Sequence, residues 1–303
     1  MTERGGAMVP EVDRSIPFIE THHHLWELDR FRYRWLEDPG TPQHNATLGD
    51  YKMIRVNWGP KRFFREFYGQ NVIKSVHVEA DYNGPDPVEE TAWLDSVSRE
   101  YGMPNGLVVY CDLEQPGAEE QLVRHLEASP LTRGVRLRAH PDPDSPVFRT
   151  NYAALGRHGL SYDLNASPGQ LLAGRATAAA FPDVQVILCH AGFPVRRDQE
   201  YFDWWRREMS ALAEVPNVAC KISGLGMVDH DWTIESIRPW VLHCIEAFGP
   251  ERCMFGTNWP VDILFATYLE QVDAYRIILA REGFSRADQE KMLYRNAERY
   301  YRI

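Results

Sequence analysis

The stretch VQVILCHAG, residues 184–192, is an apolar run that ends in a histidine and a glycine turn. Seven further apolar runs recur along the chain, and each is followed by a turn or a longer amphipathic stretch. They are PFIETH (17–22), VIKSVHVEA (72–80), GLVVYCD (106–112), RGVRLRAH (133–140), GLSYDLNA (159–166), NVACKISGL (217–225) and RCMFGTNWP (252–260). Strands that alternate with helices are typical of a parallel sheet covered by helices. Eight such units predict an α/β fold, a distorted (β/α)8 TIM barrel. A doubly wound open sheet is the alternative, but no GxGxxG turn follows the first run.

The length of 303 residues fits one barrel of roughly 250 residues with two additional segments. Residues 1–16 are predicted to be an N-terminal tail, and residues 17–303 a single barrel domain. An insertion rich in aromatic residues and arginine occupies 25–70, directly after the first strand. In a barrel this insertion lies on the C-terminal face, where active sites are built.

Composition excludes several classes of partner. The chain has 33 Lys and Arg against 43 Asp and Glu, a net charge of −10, which disfavours nucleic acid. No run approaches the roughly 18 apolar residues of a membrane helix, and the N-terminus lacks the apolar region of a secretory signal. Five cysteines without a CxxC pair predict buried free thiols in a cytoplasmic protein. The expected partner is a small-molecule substrate, and a homo-oligomer is left open.

Histidines stand at the ends of two predicted strands. Alternate residues of a strand share a face, so His22 and His24 are expected to point the same way. His190 follows the apolar run VILC, at the end of the sixth strand. Imidazole is a favoured ligand for zinc, although each histidine could instead be a hydrogen-bonded core residue. Together the three histidines predict a site at the mouth of the barrel.

Other polar and aromatic residues are expected at the same mouth. Arg136 and Arg138 share a strand face and could clamp a substrate carboxylate or a developing oxyanion. The alternative is a buried ion-pair network with Glu79 or Asp163. The candidate substrate-binding residues are therefore Arg136, Arg138, Glu79, Asp163, Trp26 and Trp259. The aromatic stripe around Trp204 and Trp205 is assigned to packing, without a role in the site.

Taken in order, the motifs THHHLW, DRFRYRWLED, VILCHAG, KISGL, FGTNWPVD and NAERYY make the chain resemble the amidohydrolase superfamily. The similarity runs from about residue 17 to the C-terminus. It is strongest to the amidohydrolase-2 type of TIM-barrel hydrolases, which includes sugar-lactone lactonases and 2-pyrone-4,6-dicarboxylate lactonase. The resemblance implies a hydrolase that opens a small lactone, bearing a carboxylate or hydroxyl groups, by attack of water on the ester carbonyl.

The resemblance also assigns roles to particular residues. In that family the HxH pair, the histidine of strand six and an aspartate that ends strand eight line the active site; metal-using members bind zinc or a similar ion there. The first three positions are His22, His24 and His190, the candidate metal ligands. The fourth is Asn258, and an amide cannot accept the proton of the attacking water. The catalytic candidates are thus His22, His24, His190, Asn258 and Asp262.

Two questions stay open at this level. One divalent metal ion, such as zinc, is an alternative to a site without metal. The candidate bases are Asp262, Asp163 and a histidine, His22 or His190. Asp262 has the competing interpretation of a helix N-cap for ILFATYLEQ, and Asp163 that of a paired residue inside a strand. A metal-dependent, non-oxidative decarboxylase of an aromatic or unsaturated acid is the second functional hypothesis, and Asn258 counts against it. A non-catalytic ligand-binding relative is the third.

Overall fold

The computed structural model describes residues 12–37, 44–45 and 47–303 of the chain. Eight parallel strands lie side by side in chain order, which confirms the predicted α/β barrel. The strands are β1 (Phe18–His23), β2 (Val72–Val78), β3 (Gly106–Val109), β4 (Thr132–Arg136), β5 (Ser161–Leu164), β6 (Val186–Leu188), β7 (Val218–Ile222) and β8 (Cys253–Phe255). Nearly every strand residue is buried, as expected for a sheet covered on both faces.

Seven long helices follow strands β2 to β8 and cover the outside of the barrel. They are α1 (Val88–Tyr101), α2 (Ala118–Ala128), α3 (Pro146–Arg157), α4 (Leu171–Ala180), α5 (Gln199–Ala213), α6 (Ile234–Phe248) and α7 (Tyr268–Arg281). Their ends agree with the sequence signals. Thr233 and Ser236 form a capping box at the start of α6, and Gly102 ends α1 in the left-handed conformation.

The segment after β8 closes the barrel against β1. The backbone N–H of Asn258 donates to the His22 carbonyl oxygen at 2.8 Å, and the His24 N–H donates to the Trp259 carbonyl oxygen at 2.8 Å. These bonds bring the end of the chain's last strand to the HxH segment, 234 residues earlier in the sequence.

Short elements complete the two ends of the barrel. The described part of the insertion contains the helical turns Arg34–Glu37, Lys52–Ile54 and Pro60–Phe63, and a hairpin that pairs His44–Asn45 with Gly49–Asp50. The C-terminal segment runs through Arg286–Glu290, a π-helical turn Lys291–Arg295 and Asn296–Tyr301. Most of the predicted tail, residues 1–11, and residues 38–43 and 46 of the insertion lie outside the described residues.

Two predictions from composition concern the cysteines and membrane-spanning helices. All five cysteines are buried and free, as predicted. None of the helices described is long and apolar enough to cross a membrane.

Candidate active site

A cavity of about 460 Å³ opens at the C-terminal ends of the strands. It contains five of the residues selected from the sequence, namely His24, Arg136, Arg138, His190 and Asn258. The remaining lining comes from the insertion and the loops after the strands: Trp35, Thr47, Leu48, Tyr51, Ala80, Asn165, Phe193, Met227 and Val261. Most of these lining residues lie on the insertion and on loops, where strand periodicity carries no signal for individual side chains. Trp35 and Tyr51 stack with their ring centroids 6.3 Å apart, which gives the cavity an aromatic wall.

The three predicted histidines form one cluster, of which His24 and His190 line the cavity. The ring centroid of His22 is 5.1 Å from that of His24 and 4.4 Å from that of His190. The intervening His23 packs instead against Phe63, as strand alternation requires. Burial lowers the pKa of His22 and His190 well below the usual range, and the nearby charges of Arg136 and Lys221 lower it further. The rings are therefore neutral at pH 7.

His190 is aimed by an unusual turn. The φ angles of His190, Ala191, Gly192 and Phe193 are 53°, 52°, 67° and 46°, all in the left-handed region. Such angles are uncommon for residues other than glycine and are concentrated at functional sites. Ser223 Oγ lies 3.0 Å from His190 Nδ1, so the strand-seven segment KISGL supports the ring of the strand-six histidine.

Asn258 connects the histidine cluster to Asp262. Its Oδ1 lies 3.2 Å from His24 Nε2, and its Nδ2 donates to Asp262 Oδ1 at 2.8 Å. Asp262 is only 1% exposed and does not line the cavity. It is not the N-cap of the following helix either, because α7 begins at Tyr268 with Thr267 as its cap. Burial raises the pKa of Asp262 to about 7, against the opposing effect of its hydrogen bonds to Asn258 and Gln271.

Both arginines of β4 and its loop are paired with carboxylates. Arg136 is almost fully buried and contacts Glu79 at 2.7 Å, while its Nη1 lies 3.3 Å from His22 Nε2. Arg138 is half-exposed in the cavity and contacts Asp81 at 2.9 Å. Arg136 and Glu79 therefore form the buried ion pair that was the alternative to a substrate clamp, although Arg136 still reaches the cavity. Each positive charge in the cavity wall is accompanied by one negative charge.

Three other predicted residues lie away from the cavity. Asp163 is fully buried inside the barrel, where it accepts a 2.6 Å hydrogen bond from Lys221. Trp26 is held in the packed base of the insertion, where its indole donates to the Val56 carbonyl oxygen. Trp259 is buried between Trp58 and Tyr268. Neither tryptophan lines the mouth, because both rings are used to pack loops onto the barrel.

The arrangement does not fit a divalent cation. Arg136 donates toward His22 Nε2, and the remaining nitrogen, Nδ1, is buried without a hydrogen-bond partner among the described residues. His24 uses Nδ1 for the Val78 carbonyl oxygen at 2.8 Å and Nε2 for Asn258. In the described part of the chain, no three His, Cys, Asp or Glu side chains are arranged to hold a metal ion.

Comparison with known proteins gives consistent matches along most of the chain. A family model described as Amidohydrolase matches residues 19–303. The chain is 38% identical over 302 residues to "Uncharacterized protein y4mH" of Sinorhizobium fredii, covering 95% of this chain and 99% of that protein. It is 30% identical over 258 residues to an L-fucono-1,5-lactonase of Burkholderia ambifaria, covering 81% of each.

A solved structure supports the fold. The crystal structure of a Burkholderia multivorans protein, titled as an amidohydrolase with bound zinc, superposes with a TM-score of 0.81 at 24% identity. The superposition covers 95% of this chain and 99% of that one.

Proposed function

Since this chain belongs to the amidohydrolase family, we propose that it is a hydrolase that opens a small lactone by water attack on the ester carbonyl. The observation that carries the proposal is the convergence of His24, His190, Asn258 and Arg136 on one cavity at the C-terminal face of the barrel. Relatives named L-fucono-1,5-lactonase and L-rhamnono-gamma-lactonase support the reaction class.

The reaction can be written with the residues that touch the cavity. The oxygen of a water molecule bonds to the lactone carbonyl carbon, and a neutral imidazole of the cluster takes the proton that the water loses. Arg136 and Arg138 stabilise the oxyanion of the tetrahedral intermediate. When the intermediate collapses, the ring C–O bond breaks and the departing alkoxide takes the proton back from the imidazolium. The product is a hydroxy acid.

The charge of the cavity favours one substrate class. Arg136 is paired with Glu79 and Arg138 with Asp81, so two positive charges are offset by two negative ones. A lactone with several carboxylates would lack free countercharges, whereas a neutral, hydroxyl-bearing lactone finds both donors and acceptors here. The aromatic wall of Trp35 and Tyr51 supplies an apolar face for a sugar-like ring. The substrate proposed is therefore a hydroxyl-bearing lactone, with a carboxylate-bearing lactone as the alternative.

We assign no step to a metal ion, because Arg136 lies against Nε2 of His22, and Val78 and Asn258 lie against the two nitrogens of His24. Zinc at His22, His24 and His190 is the alternative. Metal analysis of protein purified without chelator and without metal-affinity resin decides between them. One zinc per chain, required for turnover, would restore the metal-dependent reaction.

The function is tested by offering the protein L-fucono-1,5-lactone, L-rhamnono-γ-lactone and 2-pyrone-4,6-dicarboxylate. Turnover is measured as the appearance of free acid. His190→Ala is expected to abolish hydrolysis while leaving the fold intact. His140→Ala is the matched control, since His140 bonds Tyr162 and Thr177 and does not line the cavity. A His190→Ala rate equal to wild type contradicts the site.

The same assay separates the other two hypotheses. Release of carbon dioxide from an aromatic acid, without any lactone turnover, identifies a decarboxylase. Tight binding of lactones without turnover identifies a ligand-binding relative. The cytoplasmic location and a homo-oligomeric state stay predictions.

A further inference from the structure

Arg138 and Asn165 stand side by side on the wall of the cavity, just beyond the ends of strands β4 and β5. The ladder between these strands pairs Arg136 with Asp163. Arg138 and Asn165 each follow two residues later, so strand alternation places them on the same face. Both side chains line the cavity, and Asn165 Nδ2 donates to the Arg138 carbonyl oxygen at 2.6 Å. The two residues therefore form one patch of the wall.

This hydrogen bond determines how the Asn165 amide is oriented. A carbonyl oxygen only accepts, so the NH2 group of the amide has to face Arg138, and the oxygen Oδ1 is left for another partner. Oδ1 has no hydrogen-bond partner among the described residues, and it is not one of their enclosed polar atoms. Because Asn165 lines the cavity, Oδ1 is an acceptor that a molecule bound there can use.

Arg138 supplies hydrogen-bond donors beside this acceptor. Its Nη2 pairs with Asp81 Oδ2 at 2.9 Å, whereas Nε and Nη1 have no partner in the part of the chain that the structure describes. The side chain is half-exposed and lines the cavity. A guanidinium holds its N–H groups in a fixed planar fork, which can bind two neighbouring oxygen atoms at once. The patch thus offers two donors and one acceptor.

We propose that Arg138 and Asn165 recognise the hydroxyl group on the carbon next to the lactone carbonyl, so that the substrate is a 2-hydroxy lactone. This inference rests on the proposed lactone hydrolysis, in which Arg138 donates to the oxyanion. The other N–H of the fork donates to the oxygen of the neighbouring hydroxyl group, and that hydroxyl group donates its hydrogen to Asn165 Oδ1. A hydroxyl group both accepts and donates, as this patch requires.

The same patch disfavours other groups at this position of the ring. A carboxylate only accepts, so its oxygen atoms would oppose the lone pairs of Asn165 Oδ1 and the negative charge of Asp81. A ring that carries only hydrogen there would cover Oδ1 and leave it without a partner. A site built to bond a hydroxyl group rejects an analogue that lacks it. Asn165 is therefore a residue that determines specificity and takes no part in bond making.

The test compares racemic α-hydroxy-γ-butyrolactone with γ-butyrolactone, because these two lactones differ only in the hydroxyl group in question. We expect wild type to prefer the hydroxylated lactone by about 30-fold in kcat/KM. Asn165→Ala should reduce this preference to about threefold or less, through a loss on the hydroxylated lactone alone.

The matched control is Asn105→Ala. Asn105 is also half-buried, and its amide bonds the backbone of Ser75 and Gly102 at the opposite end of the barrel, outside the cavity. Its variant should keep the wild-type preference. A wild type without preference overturns the inference, and so does an unchanged preference in Asn165→Ala. An equal loss on both lactones in Asn165→Ala also overturns it, because Asn165 would then only shape the wall.

A binding measurement without turnover separates this inference from the proposed function. The lactams 3-hydroxy-2-pyrrolidinone and 2-pyrrolidinone keep the ring carbonyl and differ in the same hydroxyl group, but they resist hydrolysis. In NMR titrations, wild type should bind the hydroxylated lactam about tenfold more tightly, and Asn165→Ala should bind both alike. If wild type opens no lactone, the proposed function fails, and this titration still tests the patch. Wild-type protein that does not distinguish the two lactams overturns the inference.

Discussion

Trp205 Nε1 donates a 2.9 Å hydrogen bond to the carbonyl oxygen of Ala191, and the bond ties helix α5 to the turn that carries His190. His190, Ala191 and Phe193 all have positive φ angles, each of which costs of the order of 1 kcal/mol. The turn therefore needs support from outside. The aromatic stripe of helix α5 predicts a packing role, and the helix does pack. The buried indole of Trp205 also holds the backbone turn of the site.

Trp205→Phe should loosen this turn. The substitution keeps most of the ring but leaves the Ala191 carbonyl unpaired, at a cost of about 1–3 kcal/mol in unfolding free energy. We expect kcat for lactone opening to fall about tenfold as His190 loses its alignment. Trp204→Phe is the control, since that indole donates to Glu208 on the same helix. Equal kinetic losses in both variants would speak against a specific role for the Ala191 bond.

Gly224→Ala should displace His190. A Cβ atom at Gly224, where φ is +62°, would lie 2.6 Å from His190 Nδ1. We expect a loss of kcat of about 100-fold, because small misplacements of a reacting group cost this much. Gly159→Ala is the matched control, since its φ is +64° and nothing lies within 4 Å of the added Cβ. Kinetics of both variants, with melting temperatures, separate the backbone cost from the collision with His190.

Lys221→Met should destabilise the barrel. Lys221 and Asp163 are both fully buried and form a 2.6 Å ion pair, which Tyr301 joins through a 2.8 Å hydrogen bond to Asp163. Removal of one partner leaves an uncompensated buried charge, which costs about 3–5 kcal/mol. Urea unfolding of Lys221→Met, Asp163→Leu and the double variant measures the pair. The double variant is expected to be more stable than Lys221→Met alone, and the opposite order would contradict the structural role.

Glu90→Gln should flatten the pH dependence of stability. Burial, with the neighbouring charge of Glu79, raises the pKa of Glu90 from 4.5 to about 8. Between these values the folded protein binds more protons than the unfolded chain. Its unfolding free energy therefore falls as pH rises, by at most about 1.4 kcal/mol per pH unit, and the full loss is reached above pH 8.

The glutamine side chain of the variant is neutral at every pH. The unfolding free energy of the variant, relative to that of wild type, should therefore rise from pH 5 to pH 9 in urea titrations. Glu89→Gln, at the neighbouring exposed position on α1, serves as control. A constant difference between Glu90→Gln and wild type over this range would show that Glu90 does not titrate in it.

The fold could be predicted because its signal is local and repeated. Each apolar run, such as VILC before His190, is one strand, and each amphipathic stretch with its cap and glycine is one helix. The histidine cluster could be predicted for a related reason. Strand alternation sets the common direction of His22 and His24, and the parallel order of the barrel brings the end of β6 to the same face.

The partners of the site could not be predicted, because they depend on side-chain directions after the strands end. For the stretch after β8, the sequence predicts a turn and a helix cap. In the structure, the left-handed φ of 62° at Asn258 directs the amide of this residue between His24 and Asp262. Likewise, Arg136 and Arg138 share a strand face in the sequence pattern, but only their carboxylate partners decide how much positive charge the cavity holds.

The amino-acid sequence by itself thus determined the barrel, the face that carries the site and the three histidines, since all follow from periodicity and strand order. Tertiary structure alone decided that Trp26 and Trp259 pack loops, that Asp163 pairs with Lys221, and that Asp262 stands behind Asn258. These outcomes depend on contacts between residues far apart in the chain, where burial and hydrogen-bond geometry, not local pattern, select the partner.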